Sequence, residues 1–488
     1  MYFEGDRWRV LAMVNIVLTG GEGIMATTLG SHRLTRRAFL GVAAASAGVV
    51  AAASSSGLGV MEALAATTTR YPLYIPPVLN AGTTPYTLTE APGKVNLGDG
   101  RLSNAWVYNN MLPGPTFRVT KGGSASFTLK NGLPEETITH WHGMIVDHAN
   151  DGHPIKAIPP GGTYSYAFPV NQRAALNWYH PHPHMLTGKQ VALGLAGGFI
   201  VNDAEEAALG LPSGAHEVPL VVRDTTLDTA GNLLYKPRSG GFEGQIPLVN
   251  GTRDPYLEVD TALYRFRVLG GSNARIFRLA LSNGAPFTLI GNDGGLLAKA
   301  VTVATIDLAP GERLDLLVDF RSAAVGSSVM LRDLLAGWDL LEFRVARQVS
   351  DATTIPTTLS SITALTNPLT TRTFSLDGMS KINGLLYDRN RIDFKVPFGQ
   401  VERWRFTTSG NAPHPVHVHG ASFQVVSRTG GRGKLFPWEG GWKDTVLLND
   451  RETVDILIRF DAYRGVYLLH CHKLEHEDMG MMSNFEVI

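Results

Sequence analysis

The chain holds one cysteine, Cys471, set between two histidines in His470-Cys471-His472. With no partner it can form no intramolecular disulfide, so its value is chemical rather than structural. His476 and Met481 follow within the same segment. Thiolate, imidazole and thioether are the ligand types of an electron-transferring copper site, in which two His and one Cys are joined by a weak axial Met. The second His must come from elsewhere in the chain. Read as a strand, Tyr467-Leu468-Leu469-His470-Cys471-His472 alternates its side chains between two faces. Cys471 then points one way and His470 and His472 the other, so one tripeptide can address two metal centres.

Fifteen histidines are present, and ten of them fall into four clusters. These are His140-Trp141-His142, His180-Pro181-His182, His414-Pro415-Val416-His417-Val418-His419, and His470-Cys471-His472 with His476. A His-x-His pair on a strand puts both rings on one face, ~6.6 Å apart along it. That spacing suits two neighbouring metals better than one. A single pair of this kind is more often core or surface histidine, but four pairs, one flanking the sole cysteine, are not a product of chance. Zinc would explain any one cluster, yet not so many imidazoles, nor a Cys with a trailing Met. His184 extends the second cluster and is expected to face solvent or support a ligand. His148, His153 and His216 fit no cluster and are expected to make surface polar contacts, and His32 lies in the N-terminal segment. Met479 and Met482 are expected to pack, and Trp141 and Trp178 to pack around the clusters.

The elements that position these residues are strands. At 488 residues the chain has room for about three domains. Fifty-three glycines and 27 prolines, between short Val/Leu/Phe/Thr runs, predict an all-β, turn-rich architecture. The formal net charge is zero, which gives no footing for nucleic acid or a strongly charged partner. Residues 1–66 read as an N-terminal extension with a signal peptide. Thr35-Arg36-Arg37-Ala38-Phe39-Leu40 opens an Ala/Gly/Val run, and Ala63-Leu64-Ala65 offers a cleavage site. The paired arginines point to the twin-arginine export machinery and a periplasmic or secreted protein, with the membrane involved only during export. The run is short and Ala-rich for a spanning anchor. Three parts of similar layout follow, at 70–205, 206–347 and 372–488, with a Thr/Ser/Pro-rich linker at 348–371. Parts two and three carry a short repeat: aligning Asn273 with Asn411 sets Ile276, Leu279 and Leu281 opposite His414, His417 and His419. The second part thus reads as a duplicate whose ligand positions hold core residues.

The four histidine motifs resemble those of three-domain multicopper oxidases, a family of laccases, bilirubin oxidases and bacterial cuprous oxidases. The resemblance covers nearly the whole chain after the signal segment. It implies three cupredoxin-like Greek-key β-barrel or sandwich domains and four copper ions. By the resemblance, type 1 copper takes His414, Cys471, His476 and axial Met481. Type 2 copper takes His140 and His417. The type 3 pair shares His142, His180, His182, His419, His470 and His472, with the trinuclear cluster between the first and third domains. Asp151 and Glu477 match family carboxylates beside that cluster, as proton relays or as acceptors that orient ligand histidines.

The implied activity couples one-electron oxidation of four donor equivalents to reduction of O2 to water. The partners are therefore O2 and a small reducing substrate, acting on a monomer. The stretches around Gly441-Trp442-Lys443-Asp444-Thr445-Val446 and His476-Glu477-Asp478 resemble cuprous oxidases. Only Met379 occurs in 340–390, however, where Met-rich insertions would collect Cu(I). Phenols, aromatic amines or bilirubin-like pigments are the favoured donors, with Cu(I) as the alternative. A non-enzymatic copper-binding or cell-division protein of the same fold is disfavoured, because every ligand position is filled. Residues 1–24 precede Met25, from which a signal peptide has ordinary proportions, so translation is expected to start there. Peptide mapping of the unprocessed precursor should then recover nothing from residues 1–24.

Overall fold

The computed structural model describes residues 69–488 apart from 83–84, 239 and 411–412. Of the preceding segment it describes only the backbone of four short strands, paired as two hairpins: Tyr2–Glu4 with Arg7–Arg9, and Met13–Val17 with Met25–Leu29. The paired arginines, the apolar run, the cleavage site and His32 lie outside the described residues, as do Asn411 and Ala412 of the repeat. From residue 69 onward the regular structure is nearly all strand. Its longest described helix, Thr187–Ala192, has six residues, and no described helix is long and apolar enough to cross a membrane.

Six large sheets close around three main cores. The first core is aromatic, built on Phe117, Phe127, Trp141, Tyr166, Tyr179 and Phe199. The second is largely aliphatic, and the third includes Trp404, Phe406, Cys471 and Met481. Each sandwich repeats one wiring. One of its sheets contains a parallel pair: Tyr86–Asn96 with Ser124–Asn131, Glu217–Thr225 with Leu263–Gly270, and Thr370–Asp377 with Val401–Thr408. Each pair is joined by a crossover, as in Greek-key cupredoxin-like folds. The opposite sheet contains an antiparallel pair that matters for chemistry. It is Thr139–His140 with Ala175–Pro181 in the first sandwich and His414–Val418 with Gly465–Cys471 in the third. In the second it is Phe277–Leu281 with Ser328–Asp333. Leu279 and Leu281 there belong to the core, as the repeat anticipates, but Ile276, aligned with His414, is only half-buried and precedes the strand, so two of the three positions hold core residues.

Two details depart from a simple division of the chain. Tyr71–Pro72 pairs with Pro255–Asp260 and so extends the second sandwich rather than the first. The linker segment is tied down along its length: Leu359 N–H donates to Ala298 O at 2.9 Å and Leu365 N–H to Gln424 Oε1 at 2.8 Å.

The first and second sandwiches meet through an apolar seam of Leu176, Trp178, Ile200, Val221 and Leu269. Beside it lies a buried ionic knot. Glu206 accepts from Arg265 at 2.8 Å and Arg267 at 2.6 Å, and these arginines also hold Asp315 and Glu217. Burial works to raise the Glu206 carboxyl, but the two guanidinium groups outweigh it and hold it at about 2. A carboxyl depressed on folding stabilises the fold above its unfolded value. That contribution is lost as pH falls from about 4.5 towards about 2, and is worth on the order of 3 kcal/mol. Melting temperatures measured from pH 7 to 2.5 should therefore fall more steeply for wild type than for Glu206→Gln; parallel curves would rule the knot out as the acid-sensitive element.

Candidate metal centre

Strand pairing sets the first ligand candidates face to face. His140 is the register partner of His180, and His417 of His470. The second histidine of each His-x-His pair, by contrast, lies beyond its strand. The strands end at His140, Pro181, Val418 and Cys471, one or two residues before His142, His182, His419 and His472. The expected strand through His472 thus stops at Cys471. Freed from the pleat, the rings converge to centroid separations of 5.8, 5.8, 4.8 and 5.7 Å within the four pairs.

Eight imidazoles from the first and third sandwiches meet in one buried cluster. His142 stacks on His417 at 3.6 Å and His140 on His419 at 3.8 Å. The Nε2 atom of His470 lies 3.0 Å from that of His419 and 3.4 Å from that of His182. His472 closes the group, 4.9 Å from His142 and 5.4 Å from His180 between ring centroids. On the other face of the same strand, Cys471 Sγ lies 3.5 Å from His414 Nδ1 and 3.7 Å from His476 Nδ1, and those two nitrogens are 3.2 Å apart. Met481 is buried in the same core, and its carbonyl accepts from the Cys471 amide at 3.1 Å.

The donor atoms fit metal ions. A trigonal ion with bonds of about 2.0 Å to nitrogen and about 2.3 Å to sulfur requires edges of about 3.5 Å (N–N) and about 3.7 Å (N–S), close to the triangle observed. In the larger cluster, Nε2 of His140, His180 and His417, Nδ1 of His142 and His182, and both nitrogens of His472 are buried without a hydrogen-bond partner. Buried polar atoms are normally paired, so this many orphans aimed inward call for an occupant. Burial, reinforced by neighbouring imidazoles, holds His140, His419 and His472 well below the ordinary histidine range. Burial also lowers His414 to about 4 and His476 to about 3. The rings are therefore neutral, which is the ligating form. Burial pushes the Cys471 thiol up to about 12, so a metal must displace its proton to bind the sulfur.

The outward nitrogens are anchored. Nδ1 of His140, His180, His417 and His470 faces the carbonyl oxygens of Asp151, Pro181, Asp444 and Cys471, at 2.5, 2.9, 2.8 and 3.0 Å. Both candidate acids lie against cluster rings. Asp151 Oδ2 is 2.8 Å from His419 Nδ1, and Glu477 Oε2 is 3.1 Å from His470 Nδ1.

Two family models described as multicopper oxidase match residues 91–206 and 354–488. A multicopper oxidase of Staphylococcus haemolyticus is 35% identical over 84% of this chain and 89% of its own length. A laccase of Bacillus subtilis is 32% identical over 78% of this chain and 90% of its own. The crystal structure of the multicopper oxidase McoA from Aquifex aeolicus superposes with a TM-score of 0.80 at 36% identity, covering 86% of this chain and 99% of that one. The chain belongs to the multicopper oxidase family. It is a copper-dependent oxidoreductase that acts with O2 and a reducing substrate.

Within this multicopper oxidase several expectations need correction. His153 is buried, not at the surface; its Nε2 lies 2.9 Å from Asn484 Oδ1 and its Nδ1 accepts from the Ile155 amide. Met479 is exposed, whereas Met482 packs with Leu468 and Tyr387. His184 stays outside the cluster, edge-on to Tyr387. Trp178 stacks on His180 at 4.2 Å, but Trp141 turns into the first core against Phe127. Asp444, which contacts His142 Nε2 at 3.0 Å, was quoted within a motif without a role. Arg313 gave no local signal, since its partner is 131 residues away. A cavity of about 270 Å³, lined in part by Ile145, Arg173, Leu365, Trp442 and Arg459, adjoins a smaller one that touches His140, His417 and His419.

In the copper-loaded enzyme, Cys471→Ser should remove the blue thiolate-to-copper absorption while copper stays on the histidine cluster. Visible spectra and elemental analysis check both points, and a variant that stays blue disproves the sulfur assignment.

Proposed function

We propose that the protein is a laccase-like oxidase carrying four copper ions. His414, Cys471 and His476, with Met481 as axial donor, hold the type 1 ion. His140 and His417 hold the type 2 ion, and His142, His180, His182, His419, His470 and His472 hold the type 3 pair. The observation that carries this reading is the shared tripeptide: Cys471 Sγ belongs to one donor set, and its two chain neighbours belong to the other.

Copper, when bound, alternates between two oxidation states and so can accept electrons singly and deliver four to O2. The residues define the route. From Cys471 Sγ, a path of covalent bonds runs to its carbonyl, which accepts from His470 Nδ1 at 3.0 Å. That ring reaches the His419 and His182 side of the cluster. Besides Asp444, which faces His142, Asp151 and Glu477 lie within hydrogen-bonding reach of cluster rings. Asp151 and Glu477 hold His419 and His470 in orientation and can pass protons inward. The paired cavities reach His140 and His417 and mark the side from which O2 would approach the cluster.

Donor choice follows from the surface beside Met481. An alanine methyl at Gly480 would meet Leu386 at 3.2 Å and the Ser380 carbonyl at 3.4 Å, so this segment lies over the copper-binding loop. Leu385, Leu386, Met379 and Met479 are exposed. An apolar rim suits phenols, aromatic amines or bilirubin-like pigments better than hydrated ions. Cuprous ion is the second reading, favoured by the two exposed thioethers. A cell-division or storage role is disfavoured because every proposed ligand is present and converges. Export by the twin-arginine pathway to the periplasm or medium, and a monomeric state, complete the proposal.

Oxygen uptake by copper-loaded enzyme is expected with a methoxyphenol and with bilirubin. It should consume four donor electrons per O2 and leave no peroxide. Uptake with Cu(I) alone would transfer the assignment to the second reading, and no uptake with any donor would defeat the oxidase.

A further inference from the structure

The second sandwich supplies no histidine to the cluster, yet its turn at 309–313 reaches the cluster directly. An alanine methyl at Gly311, where φ is +81°, would stand 2.9 Å from His472 Cδ2 and 3.1 Å from His142 Cε1. The backbone there is in van der Waals contact with two cluster rings, and only glycine fits. His472 has no hydrogen bond on either nitrogen. Its amide donates to Pro415 O at 2.6 Å, and its ring is held by contact with this turn and with neighbouring rings.

Arg313 follows and is fully buried. Its guanidinium spans all three sandwiches. Nε donates to Leu176 O at 3.0 Å, on the strand that carries His180. Nη1 donates to Gly311 O at 2.8 Å and Asp444 Oδ1 at 2.7 Å, and Nη2 to Asp293 O at 3.1 Å and Asp444 Oδ2. This two-pronged grip on Asp444 is the geometry that arginine provides and lysine does not. Asp444 in turn faces two stacked rings. Its Oδ1 lies 3.0 Å from His142 Nε2, and its carbonyl lies 2.8 Å from His417 Nδ1. His142 is thereby anchored through Nε2, whereas His140, His180, His417, His419 and His470 are anchored through Nδ1. The free nitrogen of His142 is Nδ1. Beneath the pair, Lys443 is buried between Asp293 at 2.9 Å and Glu312 at 3.3 Å, locking the second sandwich to the segment that bears Asp444.

We propose that Arg313 is a positioning residue of the histidine cluster: acting through Asp444, it fixes which nitrogen His142 presents and how His142 stacks on His417, while Gly311 forms the floor beneath His472. The proposal rests on the copper reading of the cluster. It gives the second sandwich a direct part in metal binding although it contributes no ligand. The thiolate site, built wholly from the third sandwich, is independent of Arg313.

The test compares copper-loaded wild type, Arg313→Gln, Arg313→Lys, Asp444→Asn and the Arg313→Gln/Asp444→Asn double variant. Cluster copper retained during dialysis against a graded chelator is measured by elemental analysis, with the blue thiolate absorption as internal standard and thermal melting of the metal-free proteins as the fold control. Arg313→Gln is expected to release cluster copper at about tenfold lower chelator, the usual scale for losing a group that orients a ligand, with the blue absorption unchanged. Arg313→Lys should fall between, because it keeps the charge and loses the grip. The double variant should be no worse than the weaker single one, since the two residues act in series. Unchanged retention in Arg313→Gln overturns the proposal, as does parallel loss of the blue absorption or additive losses in the double variant. If Arg313→Gln does not fold, unchanged retention in Arg313→Lys has the same force. A wild type with no histidine-bound copper overturns the reading of the cluster itself.

Discussion

Every cluster imidazole that points a lone pair inward must have its other nitrogen dealt with. A buried N–H left unpaired costs about 1–3 kcal/mol, and the wrong tautomer presents a proton where a lone pair is needed. Much of the local architecture answers that constraint. Carbonyls of Asp151, Pro181, Asp444 and Cys471 take four of the rings. The Asp151 and Asp444 carboxylates take His419 and His142. Two of the four carbonyls, those of Pro181 and Cys471, lie inside His-x-His motifs, so the backbone between two rings also sets the tautomer of the first.

The sandwich wiring explains how so many rings arrive together. Each copy offers two adjacent strands that end side by side, so it can deliver two His-x-His pairs and no more. Eight rings therefore need two copies facing each other. The second copy keeps the strands and fills the equivalent positions with Leu279 and Leu281. Offering no histidine to the cluster, it bridges. Its contacts with the first sandwich include an apolar seam and the ion pair of Arg118 with Glu217 at the edge of the Glu206 knot, and its contacts with the third include Lys443 and Arg313. Buried ion pairs of this sort add little net stability over apolar packing, but they fix geometry, and geometry is what the cluster requires.

The set of converging donor side chains was legible in the sequence because its signals are local and chemically rare: His-x-His pairs and one Cys with a His and a Met close behind. The all-β class was legible for similar reasons, in turn-forming residues, and a short repeat marked the second copy's aliphatic Leu279 and Leu281. What stayed hidden depends on long-range contacts or on where strands end. His142, His182, His419 and His472 leave their strands, and nothing in the alternation announces it. Asp444 and Arg313 are ordinary charged residues until the fold brings them together across 131 positions. His153 carries no mark in the sequence of its partner Asn484, 331 residues on.

The tripeptide also limits what can vary. Gly465–Cys471 lies between His414–Val418 and Met482–Val487, hydrogen-bonded to both. A shift of this strand would move Cys471 Sγ, His470 and His472 together, disturbing both donor sets at once. The distance between them is fixed by one peptide unit and the His470-to-Cys471 hydrogen bond, and it cannot be tuned without cost to each. Adaptation to a particular electron donor must then fall on residues that touch neither set. The exposed Met379, Leu385 and Leu386 meet that condition. They lie on a segment held by the buried Ile382 and Tyr387 and by the Tyr387 amide, which donates to Gly480 O at 3.0 Å, and replacing the exposed side chains leaves these contacts intact. On the proposed reading, donor specificity is separable from the metal framework, which is why motifs that identify the family so firmly say little about the molecule that feeds it.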